Sequence, residues 1–141
     1  MEAIKVLLVE DNEGDIMLTL EALKEGQIPK VTEVLRDGWE AIRYIEQWGK
    51  DIDVKTPDLI VLDVNLPKVD GYEVLEKLKS DELTSDIPVV MLTTSLSEDD
   101  IIKSYQYKAD HYIAKPLDAD DFFRVVTSLE DFWLSHNNNN K

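Results

Sequence analysis

The chain has 141 residues, with 15 Lys plus Arg against 30 Asp plus Glu, a formal charge of −15. An acid excess of that size excludes nucleic acid and anionic membrane surfaces as partners, since both are bound by clustered cations. The 43% of hydrophobic residues suffice for one packed domain, and the lack of cysteine removes disulfides, thiolate metal sites and a cysteine nucleophile.

The apolar run Ile4 to Val9 predicts a strand covered on both faces. Ile16, Leu20 and Leu23 follow helical spacing and predict a first helix, with Gly26 as its C-terminal cap. Val31 to Leu35 is a weaker run that predicts a strand nearer a sheet edge. Asp37 is a candidate N-cap for a second helix carrying Ala41, Ile42 and Ile45 and ending at Gly49. Leu59 to Leu62 predicts another fully covered strand, and Val74, Leu75 and Leu78 a third helix. Val89 to Leu92 repeats the strand pattern, and Ser97 with Asp100 resembles a capping box that opens a fourth helix. His111 to Ala114 is the last strand candidate. Phe122, Val126, Leu129 and Trp133 line one face of a final helix that begins near Asp118, and Phe123 with one of Phe132 or Trp133 is left partly exposed. Residues 1–135 read as one domain and 136–141, rich in asparagine, as a disordered tail. No run approaches the roughly 18 apolar residues of a membrane span, and the N-terminus lacks a leader pattern. The expectation is a soluble, cytoplasmic protein.

Strand and helix alternate along the whole domain, which predicts an α/β doubly wound parallel sheet with right-handed crossovers. Ligand sites in such sheets lie beyond the carboxyl ends of the strands. Glu10, Asp11 and Asn12 follow the first strand, Asp63 and Asn65 the third, Thr93 and Thr94 the fourth, and Lys115 with Pro116 the fifth. Three carboxylates brought together repel one another unless a cation intervenes, and hard oxygen donors favour Mg²⁺ or Mn²⁺. Asp63, at the end of a central strand, is placed to attack an electrophilic phosphorus atom. Thr93 and Lys115 are placed to meet the phosphoryl oxygens.

Four motifs, Leu8-Val9-Glu10-Asp11-Asn12, Leu62-Asp63-Val64-Asn65-Leu66-Pro67 with Asp70-Gly71, Met91-Leu92-Thr93-Thr94 and Tyr112-Ile113-Ala114-Lys115-Pro116, resemble the receiver domain of bacterial two-component response regulators. The match runs in order from about Ile4 to Trp133. It implies a flavodoxin-like (βα)5 three-layer sandwich whose five-stranded parallel sheet has the order 2-1-3-4-5. It also implies that Asp63 accepts a phosphoryl group from a histidine kinase. Glu10, Asp11, Asp63 and the backbone carbonyl of Asn65 would hold the Mg²⁺ or Mn²⁺. Thr93 and Tyr112 take the switch positions, Lys115 that of the lysine paired with the phosphoryl group, and Pro116 follows a cis bond. With no output domain expected on a chain of this length, the signal would pass to a protein partner through the surface of the fourth helix, fifth strand and last helix. That surface is also a candidate for homodimerisation. The aromatic ending of the last helix, the Thr93-Thr94-Ser95 run and the segment from Tyr105 to Tyr112 resemble the stand-alone regulators that partner phytochrome-type kinases.

Glu10 departs from the aspartate common at its position, which leaves open whether it would meet the metal directly or through water. Lys108 stands where glycine is usual, and Thr94 where a smaller residue is common. Asn65 and Ser95 fall at positions that tune phosphoryl lifetime. A Mg²⁺-dependent aspartyl phosphatase is the enzymatic alternative to a non-enzymatic switch, but its Asp-x-Asp motif follows the first strand and not the third. A flavodoxin-type cofactor binder would need a hydroxyl-rich first loop where Glu10-Asp11-Asn12-Glu13 stands. A receiver that signals without phosphate has no need of the intact residue set.

Overall fold

The computed structural model describes residues 3–48, 50, 56–93, 102, 106, 109–115 and 118–139. Five parallel strands, β1 (Ile4–Val9), β2 (Lys30–Leu35), β3 (Leu59–Asp63), β4 (Val89–Thr93) and β5 (His111–Ala114), form one sheet in the order β2-β1-β3-β4-β5. Between and after them run α1 (Glu13–Lys24), α2 (Gly38–Trp48), α3 (Gly71–Lys79) and a C-terminal helix (Ala119–Asn139). The helix expected to open at Ser97 lies almost wholly outside the described residues, as do Thr94, Ser95, Lys108 and Pro116. Among the described residues no helix is long and apolar enough to cross a membrane.

The continuous apolar runs behave as strands because helices cover both sheet faces. Every residue of β3 and β4 is buried, whereas the edge strands β2 and β5 are mostly half-buried. Successive side chains point to opposite faces, so the strands feed two cores. Leu7, Val9, Ile60, Leu62, Val89 and Met91 pack under α2 and α3. Val6, Leu8, Leu59, Val61, Val90 and Leu92 pack with Ile16 and Leu23 of α1 and with Phe122 and Val126 of the C-terminal helix.

Local chemistry sets the helix starts. Asn12, Asp37, Asp70 and Asp118 each accept a backbone N–H from the first turn that follows, at 3.0, 2.8, 3.0 and 2.9 Å. The end of α1 differs from the expectation. Its C-cap is Glu25 in the right-handed region, and Gly26 has no positive φ. What Gly26 supplies is space, since a Cβ there would lie 2.2 Å from Glu130 Oε1 and 2.3 Å from Lys30 Nζ. Glu130 reaches back from the C-terminal helix to accept the Ile28 amide at 2.5 Å and to pair with Lys30 at 3.2 Å, both side chains nearly dry. That clasp fixes the helix against the turn before β2. The C-terminal helix runs on to Asn139, past the boundary expected at 135, and the side chains of Phe132 and Trp133 lie outside the described part. Phe123 is half-buried.

The loop between β3 and α3 is held from the side by the N-terminus of α2. The Gly38 amide donates to Pro67 O at 3.2 Å, and Lys68, with φ 70°, pairs with Asp37 at 3.6 Å. A Cβ on Gly38 would sit 1.8 Å from Val69 O. Gly38→Ala is therefore expected to destabilise the domain by about 1–3 kcal/mol through forced backbone displacement. Urea unfolding checks this; a midpoint equal to wild type would show that the loop yields without strain.

Candidate functional site

Parallel register aligns the carboxyl ends of the strands. Leu62 pairs with Val9, Asp63 with Leu92 and Thr93 with Ala114, so the residues that end or follow these strands share one edge. Glu10 continues β1 by one residue, its amide donating to Leu35 O at 3.0 Å. Its side chain is fully buried, and Oε1 accepts the Asn12 amide at 3.2 Å. Asp11 is exposed on the outer side.

Asp63 is the last residue of β3 and 2% exposed. Its Oδ1 accepts the Asn65 amide at 3.2 Å, which fixes the turn that follows. α3 starts directly behind it, where Gly71 N donates to Val64 O at 2.8 Å and a Cβ would lie 2.2 Å from Asp63 O. Thr93 ends β4 and is also buried. The Lys115 amide donates to Thr93 O at 2.7 Å, carrying the ladder one residue beyond β5 and directing the lysine over the end of β4.

Lys115 Nζ lies 2.8 Å from Glu10 Oε2, 3.0 Å from Asp15 Oδ2 and 3.3 Å from Asp63 Oδ2. Burial opposes its charge, but the carboxylates of Glu10, Asp15 and Asp63 outweigh that and raise its pKa above the ordinary lysine value. Glu10 has the opposite balance. Its own burial raises its pKa to about 7, with Lys115 pulling it down and the neighbouring charge of Asp63 pushing it up.

The site thus brings together Glu10, Asp11, Asp63 and Lys115, with Thr93 at the adjoining strand end. Ligand oxygens of Glu10, Asp11 and Asp63 all lie within 4.8 Å of one another. Glu10 Oε2 is buried at the cluster with the Lys115 ammonium 2.8 Å away, so the donor set is acidic oxygen throughout. A hard divalent cation fits this donor set. Tyr112, half-buried on β5, has its hydroxyl 3.2 Å from that of buried Tyr72 on α3. Asp15 was missed when attention was confined to residues that follow strands. Asp15 lies in the first turn of α1, where an acid is favoured by the helix dipole alone, so no sequence signal tied it to the cluster.

Residues 6–127 match the response regulator receiver domain family. Response regulator Rcp1 of Synechocystis sp. is 43% identical over 129 residues, covering 92% of this chain and 88% of its own. The solved structure of the phosphorylated cyanobacterial phytochrome response regulator RcpA is 46% identical, with a TM-score of 0.79 and 96% coverage of both chains. The Mn²⁺-bound form of Rcp1 superimposes with a TM-score of 0.77 at 43% identity, covering 93% of this chain and 94% of that one. With these sequence matches, one sheet in the order β2-β1-β3-β4-β5 and an acidic edge facing a half-buried lysine, the chain belongs to the response regulator receiver domain family.

Proposed function

We propose that Asp63 is the phosphoacceptor of a signalling switch and that a histidine kinase is its phosphoryl donor. The observation that carries this reading is a buried carboxylate at the end of a central strand, 3.3 Å from a lysine ammonium and clustered with two further carboxylates. In the transfer an Asp63 oxygen attacks the phosphorus of a phosphohistidine, a P–O bond forms, the P–N bond breaks, and the leaving imidazole takes up a proton.

Glu10, Asp11, Asp63 and the carbonyl of Asn65 would hold Mg²⁺ or Mn²⁺. Such an ion, when bound, neutralises charge on the phosphoryl oxygens. Lys115 pairs with one phosphoryl oxygen and Thr93 donates its hydroxyl to another. Their shift toward Asp63 draws on β4 and β5 and alters the setting of Tyr112, so the signal leaves through the face of β5 and the C-terminal helix to a protein partner. A phytochrome-type sensor as the kinase is supported by the likeness to RcpA. Self-association through that face is part of the same proposal.

Incubation with acetyl phosphate and Mg²⁺, followed by intact mass measurement, is expected to show one phosphoryl adduct on wild type and none on Asp63→Asn. An adduct on the variant, or none on wild type, would overturn the assignment.

A second expectation concerns the metal-free protein. Because Glu10 titrates near 7 when folded and near 4.5 when unfolded, the folded state holds its proton more tightly. The stability this confers is complete below about pH 4.5 and lost as pH rises to about 7. Glu10→Gln removes that component. Its urea midpoint, relative to wild type, should therefore climb through this window and level off above it. Parallel curves for the two proteins would contradict the buried, protonated carboxyl.

A further inference from the structure

We infer that Asp15 is a positioning residue that competes for the Lys115 ammonium and restrains phosphorylation of the site; the inference rests on Asp63 as phosphoacceptor. Lysine has three N–H donors, and the three carboxylates around Nζ match them in number, with Asp15 nearer than Asp63. To donate to a phosphoryl oxygen on Asp63, the ammonium must leave one of these partners. Glu10 and Asp63 also belong to the carboxylate cluster suited to a cation, whereas Asp15 stands outside it. Asp15 therefore has Lys115 as its charge partner at this edge whether or not the cluster is filled.

The backbone holds Asp15 in this role. Its N–H donates to the Asn12 cap at 3.0 Å, and its carbonyl accepts the buried Thr19 hydroxyl at 2.7 Å. Neither bond uses its carboxylate, so the side chain is set in the first turn of α1 with its charge directed at Nζ. This charge acts twice in the same direction. It holds back an N–H that the transferring phosphoryl group needs, and it repels that anionic group and its donor. Because Asp15 retains 22% exposure, solvent screening keeps the effect modest.

Asp15→Asn keeps size, helix position and both backbone bonds while removing the charge. At saturating Mg²⁺ we expect its rate constant for phosphorylation by acetyl phosphate to rise about two- to fivefold. Affinity for beryllofluoride, which involves no turnover, should tighten by a similar factor. Asp15→Glu should return both values toward wild type, and added salt should narrow the gap between wild type and Asp15→Asn. Thermal unfolding of the variants separates these changes from loss of fold. If wild type is phosphorylated at Asp63 and Asp15→Asn is no faster and binds beryllofluoride no tighter, the Asp15 role is overturned and the phosphoacceptor stands. If wild type takes no phosphoryl group, the phosphoacceptor falls and the Asp15 role with it.

Discussion

One nearly buried ammonium, shared among Glu10, Asp15 and Asp63, is the interaction around which the carboxyl edge of this sheet is arranged. Taking a charge out of water costs several kcal/mol unless partners replace the solvent, and here the lysine and the buried carboxylates supply one another's partners. The strand order makes the contact demanding. β4 lies between β5 and β3, so Lys115 has to cross two strand spacings, about 9–10 Å, to reach Asp63. β1 lies one strand farther still. Glu10, a methylene longer than aspartate, shortens that remaining gap and approaches Nζ more closely than Asp63 does. The chain's departure from the common aspartate is thus compatible with a short ion pair across the sheet.

A charge cluster of this kind needs a scaffold that cannot relax around it. Both faces of β3 and β4 are covered by packed cores, which fixes the backbone on which Asp63 and Thr93 stand. The loops above are tied down by close backbone approaches: Gly71 against Asp63 O, and Gly38 against Val69 O. At the opposite edge of the fold the Glu130–Lys30 clasp fixes the C-terminal helix, which with α1 covers the second core. Among the described residues, these covered strands and close approaches are what hold the cluster's backbone in place.

The sequence was most informative where composition and geometry coincide. Runs such as Leu59 to Leu62 can only be strands covered on both faces, and cap residues such as Asp70 and Asp118 mark helix starts whose N–H groups need acceptors. Strand-end residues could be named because a parallel sheet collects them at one edge. Asp15 was not legible in the same way. An acid in the first turn of a helix is favoured by the dipole alone, so its residue type says nothing about a lysine a hundred positions on. Gly26 was misread for a related reason: a glycine after a helix has a local explanation, whereas its use here is room for Glu130, which only the tertiary fold supplies. Long-range pairs between charged side chains carry no periodicity, and they are what the sequence leaves out.

Two connections lead from Asp63 to the hydroxyl contact between Tyr72 and Tyr112. One passes through the turn after β3, where Gly71 is bonded to Val64 and pressed against the carbonyl of Asp63, directly into Tyr72 at the start of α3. The other passes through the Lys115 ammonium and its backbone bond to Thr93, and then along β5 to Tyr112. The first route is a short backbone segment held by a hydrogen bond, and the second joins the Lys115 side chain and its ion pair to a backbone bond at the end of β4. The hydroxyl pair at 3.2 Å sits where they meet, on the helix-covered side of the sheet rather than at its acidic edge. A contact that belongs to two elements anchored at the same carboxylate responds to their relative displacement, and under the proposed function a phosphoryl group on Asp63 would draw Lys115 and Thr93 toward it. Such a displacement would carry a local change of charge to β5, because the Lys115 amide is bonded to Thr93 at the end of that strand's ladder.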